Sequence, residues 1–245
     1  MNTQIDQIAD GIYRISTFVA EMAPPDGFTF NQFLIRADQP LLYDCGSRAL
    51  FPSVAAAVGR IMPVERLRWI SFGHVGADER EAMNLWLEAA PRAEVVYSPL
   101  GCDVSVRDLA GKAPRSLPET EVLDLGGKRI RLIPTPHVLQ GWTAQLLFEE
   151  ITRTLFCGEL FSHVGKTPAV TAGSVLQAAI AAEDMFGATS VGPATAPTIR
   201  RLADLAPLTL AMTHGASFRG NGRAALHALA NHYEQRVDAC LAAAE

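Results

Sequence analysis

Residues 67–79 read Leu67-Arg68-Trp69-Ile70-Ser71-Phe72-Gly73-His74-Val75-Gly76-Ala77-Asp78-Glu79. Leu67–Phe72 is a short, mostly apolar run bounded by a glycine, the pattern of a buried strand. Gly73-His74 breaks that run, and from Asp78 to Leu87 the text turns helical, with Asp78 as N-cap and acids in the first turn. A strand therefore ends, a histidine and two carboxylates follow, and a helix begins. Strand ends hold side chains rigidly while leaving them accessible, which is where sites are built.

Three more polar clusters follow predicted strands: Pro134-Thr135-Pro136-His137, Gly158-Glu159-Leu160-Phe161 and Thr213-His214-Gly215. The set holds three imidazoles (His74, His137, His214), three carboxylates (Asp78, Glu79, Glu159) and no thiolate. Nitrogen and oxygen donors suit iron, manganese or zinc and disfavour soft-metal chemistry. Each residue also has a plain structural reading. A lone histidine beside a strand is commonly a hydrogen-bonded structural residue, acids at a helix start answer the helix dipole, and Glu159 reads equally as a loop acid.

Working outward, Gly11–Val19, Asn31–Arg36 and Leu41–Asp44 read as strands, and Leu50–Arg60 as an Ala-rich helix. Val95–Tyr97 is another strand. Gly126-Gly127 joins Val122–Leu125 to Arg129–Ile133 in a hairpin, and residues 150–153 join Gln145–Glu149 to Thr154–Cys157 in a second. Val175–Glu183, Pro197–Leu205 and Arg223–Ala243 read as helices, with a strand at Leu208–Met212. Hairpins interspersed with helices define an α+β or layered α/β fold. No repeat or long linker divides the chain, so the expectation is a single domain over residues 1–245.

The chain has 245 residues, 49% apolar and 19% charged, a globular composition. At this length a folded chain buries roughly 70–75% of its unfolded surface. Net charge is −5, with 21 Lys+Arg against 26 Asp+Glu, and no basic run suggests nucleic acid. Cys45, Cys102, Cys157 and Cys240 are far apart, against a zinc ribbon, an iron–sulfur site or a disulfide scaffold. No apolar run is long enough to span a membrane, and residues 1–15 lack a signal-peptide pattern. The expected location is the cytoplasm.

The order His-x-x-x-Asp, Thr-Pro-His, Gly-acid-Leu-Phe and Met212-Thr213-His214-Gly215 resembles the metallo-β-lactamase superfamily. It is most similar to the short, single-domain relatives of flavodiiron proteins, the oxygen-binding di-iron proteins. Ala77-Asp78-Glu79, Pro136-His137-x-x-x-Gly141-Trp142 and His214-Gly215-x-Ser217-Phe218-x-Gly220 carry the likeness to the short branch. It runs from about Ile12 to about Tyr233. The resemblance implies a four-layer αββα sandwich with two irons at one edge of the paired sheets. One would be held by His74, His137 and a bridging carboxylate at Glu159; the other by Asp78, Glu79, the same bridge and His214.

Two positions depart from the family. Gly76 stands where a ligating Glu is usual, and Glu159 where Asp is usual; Glu79 fits the short branch. Losing a Glu at residue 76 removes a ligand and a negative charge, so a single metal, or zinc or manganese in place of iron, is the alternative to two irons. The extra methylene of Glu159 suggests that its carboxylate fills the space vacated at Gly76. Trp142 and Phe161 are expected to wall the pocket, with Ser217 shaping its rim. His163 reads as a residue behind the ligands or on the surface. His227 and His232 read as surface or packing residues, Cys157 as a small core residue, and Cys102 as structural despite its place near a helix start.

The resemblance implies binding of O₂, and its reduction (or that of NO or peroxide) with outside electrons. The likeness consumes nearly the whole chain and leaves no room for a flavodoxin domain, so a separate electron donor is expected, and a homodimer by analogy. Two rival readings are a metal-dependent hydrolase and a sensor or binding module built on a degenerate site. The hydrolase is disfavoured because the second and third histidines of His-x-His-x-Asp-His are missing from residues 74–79, where Gly76 and Glu79 stand.

Overall fold

Among the described residues, fourteen strands form two seven-stranded sheets whose order follows from which segments alternate and which turn. The computed structural model describes residues 3–138 and 141–242, apart from the side chains of Ala77 and Asp78. In the first sheet β1 (Thr3–Ala9), β2 (Ile12–Val19), β3 (Phe28–Ile35) and β4 (Leu41–Tyr43) run antiparallel in sequence order. β5 (Trp69–Ser71), β6 (Glu94–Tyr97) and β7 (Arg115–Ser116) then add parallel. The parallel pairs require crossovers. These are supplied by helix α1 (Phe51–Ile61), by the short α2 (Ala77–Arg80) and α3 (Met83–Ala89), and by a helical stretch of α4 (Pro99–Gly101), a π-turn at Cys102–Val106 and α5 (Arg107–Leu109).

The second sheet has the order β12-β14-β13-β11-β10-β9-β8. β8 (Leu123–Asp124) and β9 (Arg129–Pro134) close around Gly126-Gly127, both at positive φ, as the hairpin reading expects. β10 (Gln145–Glu149) pairs with β9 and with β11 (Thr154–Gly158). β13 (Thr209–Met212) lies parallel to β11, and β14 (Ser217–Arg219) joins it to β12 (Val170–Thr171). Helices α6 (Leu176–Phe186), α7 (Thr195–Asp204) and α8 (Gly222–Ala242) complete the chain.

Three apolar layers hold these parts together, as an αββα sandwich demands. Val54, Val58, Met83 and Trp86 pack α1 and α3 on the outer face of the first sheet. Ile199, Leu202, Leu226 and Leu229 pack α7 and α8 on the outer face of the second. Between the sheets lie Phe33, Tyr43, Leu132, Leu147 and Phe156, with the Phe33 and Phe156 rings edge to face at 5.3 Å. Among the described residues no helix is long and apolar enough to cross a membrane.

The helix expected from Asp78 to Leu87 is instead two short ones. The carbonyl of Glu79 accepts the Cys45 N–H, and the Ala82 N–H donates to Gly46 rather than continuing the ladder. Pairing with the β4 turn thus outbids helix propagation. Asp78 lies within α2 rather than capping it. β1 was not legible as a strand; it is half-buried along most of its length.

Candidate functional site

All four polar clusters emerge at one edge of the sandwich, because β5, β9, β11 and β13 end there. Two shared carbonyls join the edges. Gly73 O accepts the Gln145 N–H at 2.8 Å and the Tyr97 hydroxyl at 3.1 Å. The Gln145 side chain accepts from Ser98 N–H and donates to Phe72 O. On the other side the Thr213 carbonyl accepts the Asn31 N–H, and the Thr213 hydroxyl donates to Asp44 at 2.9 Å.

Glu79 is completely buried. One of its carboxylate oxygens accepts the backbone N–H groups of Gly73 at 2.8 Å and His74 at 2.7 Å; the other lies 3.1 Å from His74 Nδ1. Glycine at residue 73 gives the carboxylate this close approach: a Cβ there would sit 3.0 Å from the Glu79 carboxylate and 3.1 Å from the Tyr43 hydroxyl. The His74 ring lies over Gly76, with Cε1 2.8 Å and Cδ2 3.0 Å from where a Cβ would stand. The space vacated at residue 76 is therefore taken by His74. The expectation that Glu159 fills it is corrected: the imidazole is nearer, and Glu79 draws it there.

His214 is buried, 3% exposed. Its Nδ1 meets the Thr29 carbonyl at 2.8 Å; Phe28 stacks on the ring at 4.2 Å and Phe30 meets it edge-on at 5.2 Å. A carbonyl holding Nδ1–H fixes the tautomer and directs Nε2 outward, the usual arrangement behind a metal-binding imidazole. The following turn is held by a network the sequence did not reveal. Asn31 Nδ2 donates to Met212 O and Gly215 O, both at 2.9 Å, Arg14 donates to Gly215 O, and the Thr29 hydroxyl accepts the Gly215 N–H. The one available signal was Asn31-Gln32 inside an otherwise apolar strand.

His163 belongs to this network and is not a ligand. Its Nδ1 meets Phe161 O at 2.9 Å and its Nε2 accepts the Ala216 N–H at 3.0 Å, so both ring nitrogens are committed. The ring lies against Gly215, which at φ 93 has no Cβ to displace it. Burial pushes the His163 pKa down. Cys102 is buried and its thiol is pushed up to about 11 by burial, in keeping with a structural role.

Glu159 sits between two cavities. A small one of about 10 Å³ is lined by His74, Glu79, Thr135, Val138 and Glu159, with room for about one water. A larger one of about 350 Å³ is lined by His214, Phe28, Phe30, Phe161 and again Glu159. Phe161 walls the pocket as expected. Trp142 does not: it is 56% exposed and lines neither cavity. Ser217 is corrected too, since it is buried within β14 and pairs with Val170 rather than shaping a rim.

His137 is exposed, at φ 63, on a turn closed by its N–H to Gly141 O. It is Val138, not His137, that reaches the small cavity. Asp78 falls outside the described side chains. Among the described residues no three metal-ligating side chains come together. The described side chains fit two metals only in part. On the His74 side one histidine is turned out and Glu79 is occupied by backbone amides. On the His214 side an oriented imidazole and Glu159 share one cavity, which suits a single hard metal ion.

A four-layer αββα sandwich with its polar clusters at the strand ends defines a metallo-β-lactamase-like protein. The profile of the family described as "ODP family beta lactamase" matches residues 28–215, and the chain belongs to that family. The "Putative diflavin flavoprotein A 3" of Synechocystis sp. is 27% identical over 154 residues, covering 60% of this chain and 26% of its own length. The rubredoxin oxygen:oxidoreductase of Desulfovibrio gigas superposes with a TM-score of 0.80 at 16% identity, over 95% of this chain and 62% of that one. The flavodiiron protein of Giardia intestinalis gives 0.78 at 15% identity, over 95% and 60%. This chain thus spans about a quarter of the curated relative and about three fifths of the two solved proteins, and at these identities the structural likeness speaks for the fold.

Proposed function

We propose that the chain is a non-haem iron protein that binds O₂ at the His214–Glu159 side of its site, with electrons for any reduction of O₂, NO or peroxide coming from a separate partner. The observation that carries this reading is the shared wall: Glu159 lines both the His74 cavity and the His214 cavity. That is the place of a carboxylate serving two neighbouring positions. The names of the relatives, an oxygen oxidoreductase and a flavodiiron protein, support the same chemistry.

His214 through Nε2, Glu159 and, by its place in the sequence, Asp78 are the residues that would hold the metal. Bound iron would supply reversible O₂ binding and one-electron chemistry. The chain's own residues set the conditions for it. Thr29 O orients the His214 ring. Phe28 and Phe30 clamp that ring and with Phe161 give the cavity beside it apolar walls. His74, drawn toward Glu79, is withdrawn from metal binding, and occupancy of a second metal position is correspondingly low. A single-domain homodimer in the cytoplasm belongs to the same reading.

Anaerobic iron loading followed by metal analysis tests it. The wild type should hold about one iron per chain. His214→Ala should lose it, while His137→Ala, altering an exposed side chain, should retain it. Zinc bound in preference to iron, or iron retained in His214→Ala, would overturn the reading.

A further inference from the structure

We infer that the cavity beside His214 is a binding site for an uncharged or cationic aromatic molecule of one or two rings that carries a hydroxyl or amino donor. This goes beyond the iron reading and does not depend on it. The cavity, about 350 Å³, is about tenfold the roughly 30 Å³ share of one water in the liquid, and so is far too large for a diatomic gas alone. It falls within the size range of sites for small organic ligands.

Its walls come from β3 and the loop before it, the turns after β11 and β13, α6 and α8. Phe28, Phe30, Phe161 and Phe186 give four aromatic faces, and Met22 and Leu229 complete an apolar lining. Aromatic walls favour a ring as guest, by stacked or edge-on contact. Met22 and Phe186 are 48% and 50% exposed and mark the mouth. Burial at the far wall is secured by a closed hydrogen-bond network. Glu183 accepts from Thr189 N–H at 3.0 Å, from the Thr189 hydroxyl at 2.8 Å and from the Tyr233 hydroxyl at 3.2 Å. That network makes this a formed wall rather than a loose gap between helices.

Charge selects the guest. Glu159 and Glu183 both line the cavity, and its lining includes no lysine or arginine. An anionic guest would be brought beside two carboxylates between apolar walls that carry no lysine or arginine, which is costly. A donor group is matched by carboxylate acceptors, and a cationic one also by the aromatic faces.

The test uses fluorescence titration of the full chain with 2-naphthol and with its anionic near-isostere 2-naphthoate, in the presence of a chelator and again after iron loading. Wild type should bind 2-naphthol at least about tenfold more tightly than 2-naphthoate with metal stripped, and iron held by His214 and Glu159, a cation in the same cavity, should narrow that preference. Ala179→Phe and Ala182→Phe each place a ring in the cavity and should weaken naphthol binding by at least about tenfold. Melting curves identify which variants are folded. Glu159→Gln keeps the volume, removes one charge and should narrow the preference against naphthoate. With metal stripped, no naphthol binding by wild type, equal affinity for the two probes, or full naphthol affinity in a folded cavity-filled variant would overturn the inference. Because binding is read with metal stripped as well as loaded, failure of the iron reading leaves a separate signature.

Discussion

The His74 imidazole occupies the volume that a side chain at Gly76 would need, and it is held there by Glu79, 3.1 Å from Nδ1. A Glu at residue 76 would therefore displace the ring. If Glu159 is shortened at the same time, the displaced imidazole and a carboxylate at 76 regain the standard family spacing. Gly76→Glu combined with Glu159→Asp should raise bound iron by about one per chain over wild type after anaerobic loading. Unchanged metal content in the folded double variant would show that residue 76 does not control the His74 side.

Glu79 acts here as an acceptor for two backbone amides. Glu79→Gln keeps an oxygen for Gly73 N–H and His74 N–H and presents its amide toward His74. Its stability should stay within about 1 kcal/mol of wild type, and iron content should be unchanged. Glu79→Ala leaves both amides unsatisfied and should cost about 2–4 kcal/mol in urea unfolding. Loss of iron in the folded Gln variant would instead make Glu79 a ligand.

Asn31 spans the sheets through its side-chain amide. Asn31→Ala should destabilise by about 2–3 kcal/mol, since two buried carbonyls lose a donor. Asn31→Asp should be worse at neutral pH, because it sets a carboxylate against those same carbonyl oxygens. Equilibrium denaturation of the three proteins gives the order directly.

His163 titrates in the native state below its ordinary value of 6.5, chiefly because it is buried. The unfolded chain therefore binds more protons as pH falls below 6.5. The contribution of His163 is fully present above that pH and declines as pH drops toward the native value. Wild type should lose stability between pH 6.5 and 5 more steeply than His163→Gln, by up to about 1.4 kcal/mol per pH unit. Parallel slopes for the two proteins would mean that His163 is not held neutral.

The strand-end clusters were readable because each follows an apolar run and stops at a glycine or proline. That logic located His74, His137, Glu159 and His214 at one edge of the fold. It could not say which way each side chain turns. His137 lies on a left-handed residue in a turn of its own and faces outward, and a motif carries no record of φ. Trp142, which follows the left-handed Gly141 at the end of the same turn, is exposed as well. The continuous helix read from Asp78 to Leu87 failed on a long-range contact, the Cys45 N–H on the Glu79 carbonyl, which no local pattern contains. The supports of His214 lie up to 201 residues away in sequence, as Arg14 to Gly215 does, and were beyond any reading by spacing.

The His214 turn also has a kinetic consequence. Its amides at Gly215 and Ala216 are donated to Thr29 and His163, and its carbonyls are tied to Asn31 and Arg14 on the opposite sheet. Such a turn has no local opening of its own; separating it means separating the two sheets. Its amide hydrogens should exchange with solvent only through global unfolding, alongside those of β3 and β13. The two histidines that the sequence presents as equals thus differ in their anchoring: His214 is tied into both sheets, whereas the His137 side chain is exposed.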